Sequence, residues 1–304
     1  TIKGLENIIP KDKIFYNEPM KKRTTMKVGG LADIFVEVEN KEELIKILEL
    51  EEIKNKEIPI TIMGNGSNTL VRDNGIRGLV LKFTGKNITI DEKSDDEVYV
   101  TIEAGALNKT VGTTMLKNSI TGFEFADAIP GTIGGAIYMN AGAYGGEMKD
   151  IVESVEVLDL DNFELRELKN EELEFSYRKS IIQRKNYIVT TIKLKLQKGN
   201  KEEINAVYED LRERRNSKQP LNFGSAGSTF KRPEGHFASK LIEDAGLKGY
   251  HINDAWVSEK HSGFVVNKGN ASFKEVMELI EYVQKVVFEK FGVKLETEVR
   301  ILKD

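Results

Sequence analysis

Between Ile129 and Gly146 the chain reads IPGTIGGAIYMNAGAYGG. Six of these eighteen residues are glycine, and none is charged. A flexible, solvated spacer has no use for Ile133, Ile137 and Met139 among its glycines. Glycine lets a backbone approach a surface that a Cβ would hold off. Two readings satisfy the stretch. It is a tightly packed helix or turn whose glycines admit a neighbouring element, or it is backbone laid against a ligand. The residues of this stretch alone leave both open.

A second glycine-bearing loop, MGNGSNTL at Met63–Leu70, stands roughly sixty residues earlier, directly after the apolar run IPITIM. A strand followed by Gly-x-Gly invites comparison with the dinucleotide fingerprint. That fingerprint needs a third glycine where Thr69 stands, and a helix where VRDNGIRG continues as turn. Gly64, Gly66, Ser67 and Asn68 still suit a pyrophosphate cradle built from backbone amides. An ordinary strand-to-strand turn explains them equally well. Two such loops in one chain suit a large, two-ended ligand such as a dinucleotide.

Periodicity supplies the setting. Asn40–Lys54 reads as a helix, with capping-box spacing at Asn40 and Glu43. Residues 58–63, 78–83 and 97–105 read as strands, and 107–118 as a helix. Two alternating runs around Asp161–Asn162 read as a hairpin, followed by a strand at 187–196 and a helix ending near 215–218. A lobe boundary is expected close to Gly199. Beyond it, 237–246 reads as a helix and 262–267 as a strand. SFKEVMELIEYVQKVVFEKFG carries the clearest helical signal, with a capping box at Ser272 and Glu275 and a stop at Gly292. VKLETEVRIL then reads as a final alternating strand, with Glu296, Glu298 and Arg300 on one face. Strand and helix alternate early in the chain, which defines an α/β or α+β architecture.

Composition narrows the function classes. A chain of 304 residues is long enough for two or three lobes. Forty-five basic against 49 acidic residues leave a net charge of −4, so no nucleic-acid footprint is expected. No apolar run approaches the ~18–20 residues of a membrane span, and TIKGLENIIPKDK lacks a signal-peptide core. The absence of cysteine excludes disulfides, thiolate metal sites and cysteine nucleophiles, and it fits a cytoplasmic protein. No H-E-x-x-H, Cys/His cluster or EF-hand loop is present, so no metal is expected.

Three further stretches could carry chemistry. FGSAGSTFKRP, Phe223–Pro233, holds serines in small-residue turns, but no G-x-S-x-G elbow or triad spacing accompanies them. Taken alone it is a surface turn with a helix cap. Arg178 in FSYRKS offers a planar fork for a carboxylate or phosphate, although most surface arginines are simply solvated. In LETEVRIL the glutamates are acid–base machinery or solvent dressing, and solvent dressing is the simpler local reading.

The order of these stretches adds what none carries alone. TTMKVGGLADIFVEV, IMGNGSNTLV, IPGTIGGAIYMNAGAYGG, FSYRKS, SAGSTFKRP and LETEVR follow one another from about Thr24 to Leu302. In this order the chain closely resembles the UDP-N-acetylenolpyruvoylglucosamine reductases, in their shorter second type. The resemblance implies an α+β protein. Its FAD-binding domain is of the vanillyl-alcohol oxidase and p-cresol methylhydroxylase type, with two α+β subdomains (residues 1–85 and 86–199). A C-terminal α+β domain at 200–292 takes the UDP-sugar, and the strand at 293–304 returns towards the flavin. It also implies noncovalent FAD, because the flavin-linking histidine of some relatives has no equivalent in GNGSN.

Carried over residue by residue, the resemblance makes Ser228 the proton donor and Arg178 and Glu298 its catalytic partners. Gly64, Asn65, Gly66, Ser67, Asn68, Pro130, Gly131, Thr132, Gly134 and Gly135 are implied to bind FAD. Tyr144, Lys218 and His261 are implied to meet substrate, His261 standing where some members use glutamine. Gly224 replaces a proline common in this type, and a looser loop is expected there. The implied activity is NADPH-dependent reduction of UDP-N-acetylglucosamine enolpyruvate to UDP-N-acetylmuramate in peptidoglycan precursor synthesis. The expected setting is a cytoplasmic monomer that binds no nucleic acid or membrane. A flavin oxidase on the same scaffold is an alternative. A sugar-binding protein without catalysis is another, and it would be expected to lack Ser228, Arg178 or Glu298.

Overall fold

A computed structural model describes residues 2–302. The chain forms two compact units. The first comprises Thr1–Ile14, Val36–Gly64 and Leu81–Arg215, and the second Phe15–Phe35, Asn65–Val80 and Asn216–Asp304. The chain enters the second unit three times, at Phe15, Asn65 and Asn216.

The first unit is built on an antiparallel sheet. Its strands lie in the order Leu165–Lys169, Val152–Asp159, Tyr187–Lys198, Glu97–Glu103, Ile88–Ser94. The expected hairpin around Asp161–Asn162 is present, pairing Leu158 with Leu165 and Ser154 with Lys169. Val98, Val100 and Ile102 alternate inward from Glu97–Glu103, as a half-buried strand requires.

One expected helix differs. Asn40–Lys54 is two helices, Lys41–Leu48 and Glu51–Lys54, broken at Leu50, whose ψ is 138°. A continuous helix would turn Ile53 about 180° away from the face of Leu44. The break lets both be buried. The cap reads as predicted, with Asn40 Oδ1 accepting from Glu43 N at 2.8 Å.

The second unit places helix Phe273–Phe291 beside a small antiparallel sheet, Gly224–Ser225, Val265–Asn267, Ala255–Val257, His251–Ile252. Val276, Leu279, Ile280, Val283 and Val287 are fully buried in one core with Phe230, Leu241 and Ile242. Truncating a residue such as Leu279 to alanine there costs about 2–5 kcal/mol. Ser272 and Glu275 form the predicted capping box, and Gly292 ends the helix at φ 68°. Phe291, in that last turn, is exposed.

The final segment is extended, but only Arg300–Ile301 is strand. It exchanges partners along its length. Glu298 N donates to Thr229 O and Lys231 N to Glu296 O, both at 2.8 Å, while Arg300–Ile301 pairs in parallel with Thr69–Leu70. The change of partner keeps any one ladder too short for a long strand. The alternation itself holds: Leu295 and Val299 are buried and Glu296 is exposed.

Candidate active site

In the first unit the two glycine loops meet. Strand Ile60–Met63 ends at Gly64, where a Cβ would stand 2.8 Å from Thr132 Oγ1. Thr132 caps helix Ile133–Tyr138, its hydroxyl accepting from Gly135 N at 3.2 Å. The glycines of Pro130–Gly135 thus have different tasks. Gly131 takes φ 112°, which favours glycine. A Cβ on Gly134 would press on Ala104 Cβ at 2.9 Å, so this glycine admits the turn that follows strand Glu97–Glu103.

Residues 104–108 hold the stretch from one side. Asn108 N donates to Gly131 O at 3.0 Å, Ile133 N to Ala106 O at 2.8 Å and Gly134 N to Ala104 O at 3.0 Å. Leu107 and Thr132 lie opposite each other as an antiparallel bridge. The donors flank that pair, so it is the non-hydrogen-bonded kind, and the Thr132 amide points away from residue 107.

In the second unit, Gly66 takes φ 64° in the GNGSN turn. Its carbonyl accepts from Thr25 N at 3.1 Å and Thr25 Oγ1 at 3.2 Å. The same hydroxyl contacts Ser225 O at 2.6 Å, and Ser225 N donates to Thr25 O at 3.1 Å. Thr25 therefore ties GNGSN to SAGS. Motif reading named no role for it, although it stands in the quoted TTMKVGG.

Ser228 follows Gly227, whose φ is 75°, and is itself exposed. Thr229 anchors it. Thr229 N donates to Gly263 O at 2.9 Å, its carbonyl accepts from Glu298 N at 2.8 Å, and its hydroxyl accepts from Val265 N at 2.9 Å. Asn68 Nδ2 donates to Glu298 O at 3.1 Å. Ser228, Glu298 and Asn68, distant in sequence, share one hydrogen-bonded frame. Gly224 is not loose: it is buried, pairs with Asn267, and a Cβ there would stand 2.8 Å from Met26 O.

Arg178 and Tyr144 belong to the first unit, on two tight turns. Ser176 and Lys179 exchange backbone hydrogen bonds around Tyr177–Arg178, and Arg178 has φ 56°. Such left-handed backbone costs a non-glycine residue about 1–2 kcal/mol. Tyr144 (φ 53°) and Gly145 (φ 93°) turn the hairpin Gly142–Ala143/Gly146–Glu147, leaving the Tyr144 ring exposed. Arg178 Nη2 donates to Gly142 O at 3.0 Å. Asn140, fully buried, joins the turns by donating to Glu147 Oε2 at 2.8 Å and Ser176 O at 3.1 Å. Sequence reasoning passed over Asn140, whose φ of 40° no residue pattern announces.

Lys218 ends helix Lys201–Lys218 and is exposed. His261, half-buried in the second unit, has its pKa held below the ordinary 6.5, first by burial and then by the Lys218 and Lys248 charges. Gly263 N can only donate, so its contact with His261 Nδ1 at 3.2 Å makes Nδ1 the acceptor. The neutral ring then carries its proton on Nε2. Among the described residues no group of His, Asp or Glu is placed to hold a metal ion. No described helix is long and apolar enough to cross a membrane.

The residues fit a flavin dinucleotide. Gly64 and the Gly131 turn present backbone without side chains, and the Thr132 amide faces away from residues 104–108. That is the chemistry of a pyrophosphate cradle. Fold and site thus define an α+β flavin-binding protein with a second, C-terminal α+β domain. Residues 32–168 match the FAD binding domain family, and 219–302 match the C-terminal domain of UDP-N-acetylenolpyruvoylglucosamine reductase.

The chain is 51% identical over 298 residues to the UDP-N-acetylenolpyruvoylglucosamine reductase of Caldanaerobacter subterraneus subsp. tengcongensis, covering 98% of this chain and 96% of that one. It is 51% identical over 299 residues to that of Clostridioides difficile, with the same coverage. The crystal structure of the Thermus caldophilus reductase aligns with a TM-score of 0.80 at 35% identity, over 96% of this chain and 98% of the other. A solvent-stable cholesterol oxidase, 15% identical with a TM-score of 0.50 over 65% of this chain and 40% of its own, shares the fold alone. The chain belongs to the UDP-N-acetylenolpyruvoylglucosamine reductase family.

Proposed function

We propose that this protein reduces UDP-N-acetylglucosamine enolpyruvate to UDP-N-acetylmuramate, with NADPH as reductant, in the synthesis of peptidoglycan precursors. Family membership over nearly the whole chain supports the activity. The observation that carries the chemistry is the frame in which Asn68 and Thr229 hold Glu298 next to Ser228. In the first unit Gly64 and Pro130–Gly135 would hold FAD noncovalently, and it would supply hydride transfer between NADPH and the enolpyruvyl double bond.

The remaining work falls to side chains. Arg178 holds the substrate carboxylate, where negative charge develops as the double bond is reduced, and prearranged charge of this kind is a large catalytic term. Ser228 Oγ delivers a proton to the carbon next to that carboxylate, completing the lactyl ether. Glu298 polarises and orients this proton donor. Tyr144 and Lys218 meet the UDP portion, with His261 as a neutral Nε2–H donor. Residues 219–302 receive the UDP-sugar, and residues up to the helix Lys201–Lys218 hold FAD. The protein works in the cytoplasm as a monomer, where NADPH and UDP-sugars are supplied.

Flavin colour tests the proposal. Purified anaerobic protein loaded with FAD should bleach with NADPH and recolour when the enolpyruvyl UDP-sugar is added. A protein that cannot be loaded with FAD, or that recolours only with oxygen, would overturn it.

A further inference from the structure

Asn108 is closely fitted to the glycine stretch, with two hydrogen bonds to its backbone. It opens helix Asn108–Lys117 and is 1% exposed. Its backbone amide donates to Gly131 O at 3.0 Å, and its side-chain Nδ2 donates to Ile129 O at 3.1 Å. One residue therefore grips the carbonyls on both sides of Pro130. A carbonyl can only accept, so Nδ2 must face Ile129 and Oδ1 must take the opposite edge.

That Oδ1 is buried and has no donor. Among the described residues, only Tyr208 Oη shares this condition. It lies elsewhere, beside Arg212, which pairs with Asp127. A half-satisfied buried amide is a poor choice for stability alone, since the bond to Ile129 O is offset by an Oδ1 that is stripped of water and has no donor. Something other than stability accounts for an amide here. The two carbonyls it holds determine how the Ile129–Pro130 and Gly131–Thr132 peptides are turned. Drawing Gly131 O towards Asn108 directs the Thr132 amide the opposite way, because C=O and N–H of one peptide point apart.

We propose that Asn108 is a positioning residue for FAD. Its side chain and amide together orient the Ile129–Thr132 turn so that the Thr132 amide meets the cofactor's pyrophosphate. The inference rests on the flavin-binding reading above. It assigns Asn108 an effect on cofactor affinity through the turn, with no contact to the cofactor itself.

The test compares FAD affinity with the stability of the FAD-free full-length chain. Asn108→Leu keeps the volume and removes both the donor and the orphaned oxygen. Its FAD-free melting temperature should stay close to wild type, because the lost bond to Ile129 O and the removal of the orphaned Oδ1 offset each other, while the FAD Kd, read by quenching of flavin fluorescence, should rise about 10-fold or more. Asn108→Asp adds a readout that packing alone would not move. Only its protonated form carries an O–H able to replace the Nδ2 donor to Ile129 O. Its FAD Kd should therefore weaken at pH 8 and recover towards wild type near pH 5.5, while the wild-type Kd changes little. Asn108→Asp also carries the test if Asn108→Leu does not fold. An unchanged Kd in both variants would overturn the assignment, as would a Kd change matched by lost FAD-free stability. Wild-type protein that binds no FAD in the same titration would instead overturn the flavin reading beneath it.

Discussion

The side-chain amide of Asn68 donates to the backbone carbonyl of Glu298 at 3.1 Å, joining residues 230 positions apart. Arg300 N returns a bond to Asn68 O at 2.9 Å, so the end of the chain is laced to the GNGSN loop from both sides. The loop proposed to hold FAD thereby also sets the height of a proposed catalytic glutamate. Asn68→Ala should keep the backbone pairing of Thr69–Leu70 with Arg300–Ile301 and lose about 0.5–1.5 kcal/mol of stability. Reoxidation of the reduced flavin by substrate should slow about 10–100-fold, as a misplaced catalytic group implies. Denaturant unfolding and stopped-flow absorbance read the two effects, and wild-type reoxidation would remove this role from Asn68.

Ser228 is exposed on a backbone pinned by Thr229, so the hydroxyl can be deleted without disturbing the core. In Ser228→Ala, NADPH should still reduce the flavin at the wild-type rate. Reoxidation by the enolpyruvyl sugar should fall about 10²–10⁴-fold, the usual worth of a positioned general acid. Stopped-flow traces of the two half-reactions separate them. Normal reoxidation by substrate would show that another group donates the proton.

Gly64 and Thr132 form a second test. An added Cβ at Gly64 would stand 2.8 Å from Thr132 Oγ1, which is also the helix cap. Threonine is stiff at χ1 and the cap bond is worth ~1 kcal/mol, so the hydroxyl does not yield freely. Gly64→Ala should destabilise the protein by about 1–3 kcal/mol and weaken FAD binding. Thr132→Ala removes the obstructing oxygen, so the double variant should lose less than the sum of the single losses. Strict additivity in thermal unfolding would mean that the two loops do not meet as described.

His261 predicts a pH dependence of definite sign. Burial, with Lys218 and Lys248, holds its folded pKa below 6.5. As the pH falls below about 6.5 the unfolded chain binds this proton first, so stability declines towards the folded pKa and is complete above 6.5. His261→Gln should flatten this part of the profile. Urea unfolding of both proteins between pH 7.5 and 5.5 measures it, and parallel profiles would exclude His261 as the cause.

Much of this was readable in the residues. The helix Phe273–Phe291 announced itself through a capping box, a 3.6-residue stripe and a terminal glycine. The hairpin at Val152–Lys169 did so through alternation around a turn. Those signals are local, because they reflect the geometry of a few consecutive residues. The break at Leu50 and the partner exchange along 296–301 were not readable. Each depends on which distant surface must be buried or paired.

The site divides in the same way. By itself the sequence determined which residue types are available: two glycine loops, a serine beside Gly227, an arginine, a C-terminal glutamate, and their order along the chain. Only the tertiary structure decided how they are used. It gave Gly134 to packing against Ala104 and Gly64 to a meeting with Thr132, and it made Thr25, Asn108 and Asn140 the fasteners of their turns. Glycine is chosen for the absence of a side chain, and what fills that absence is a neighbour brought close only by folding.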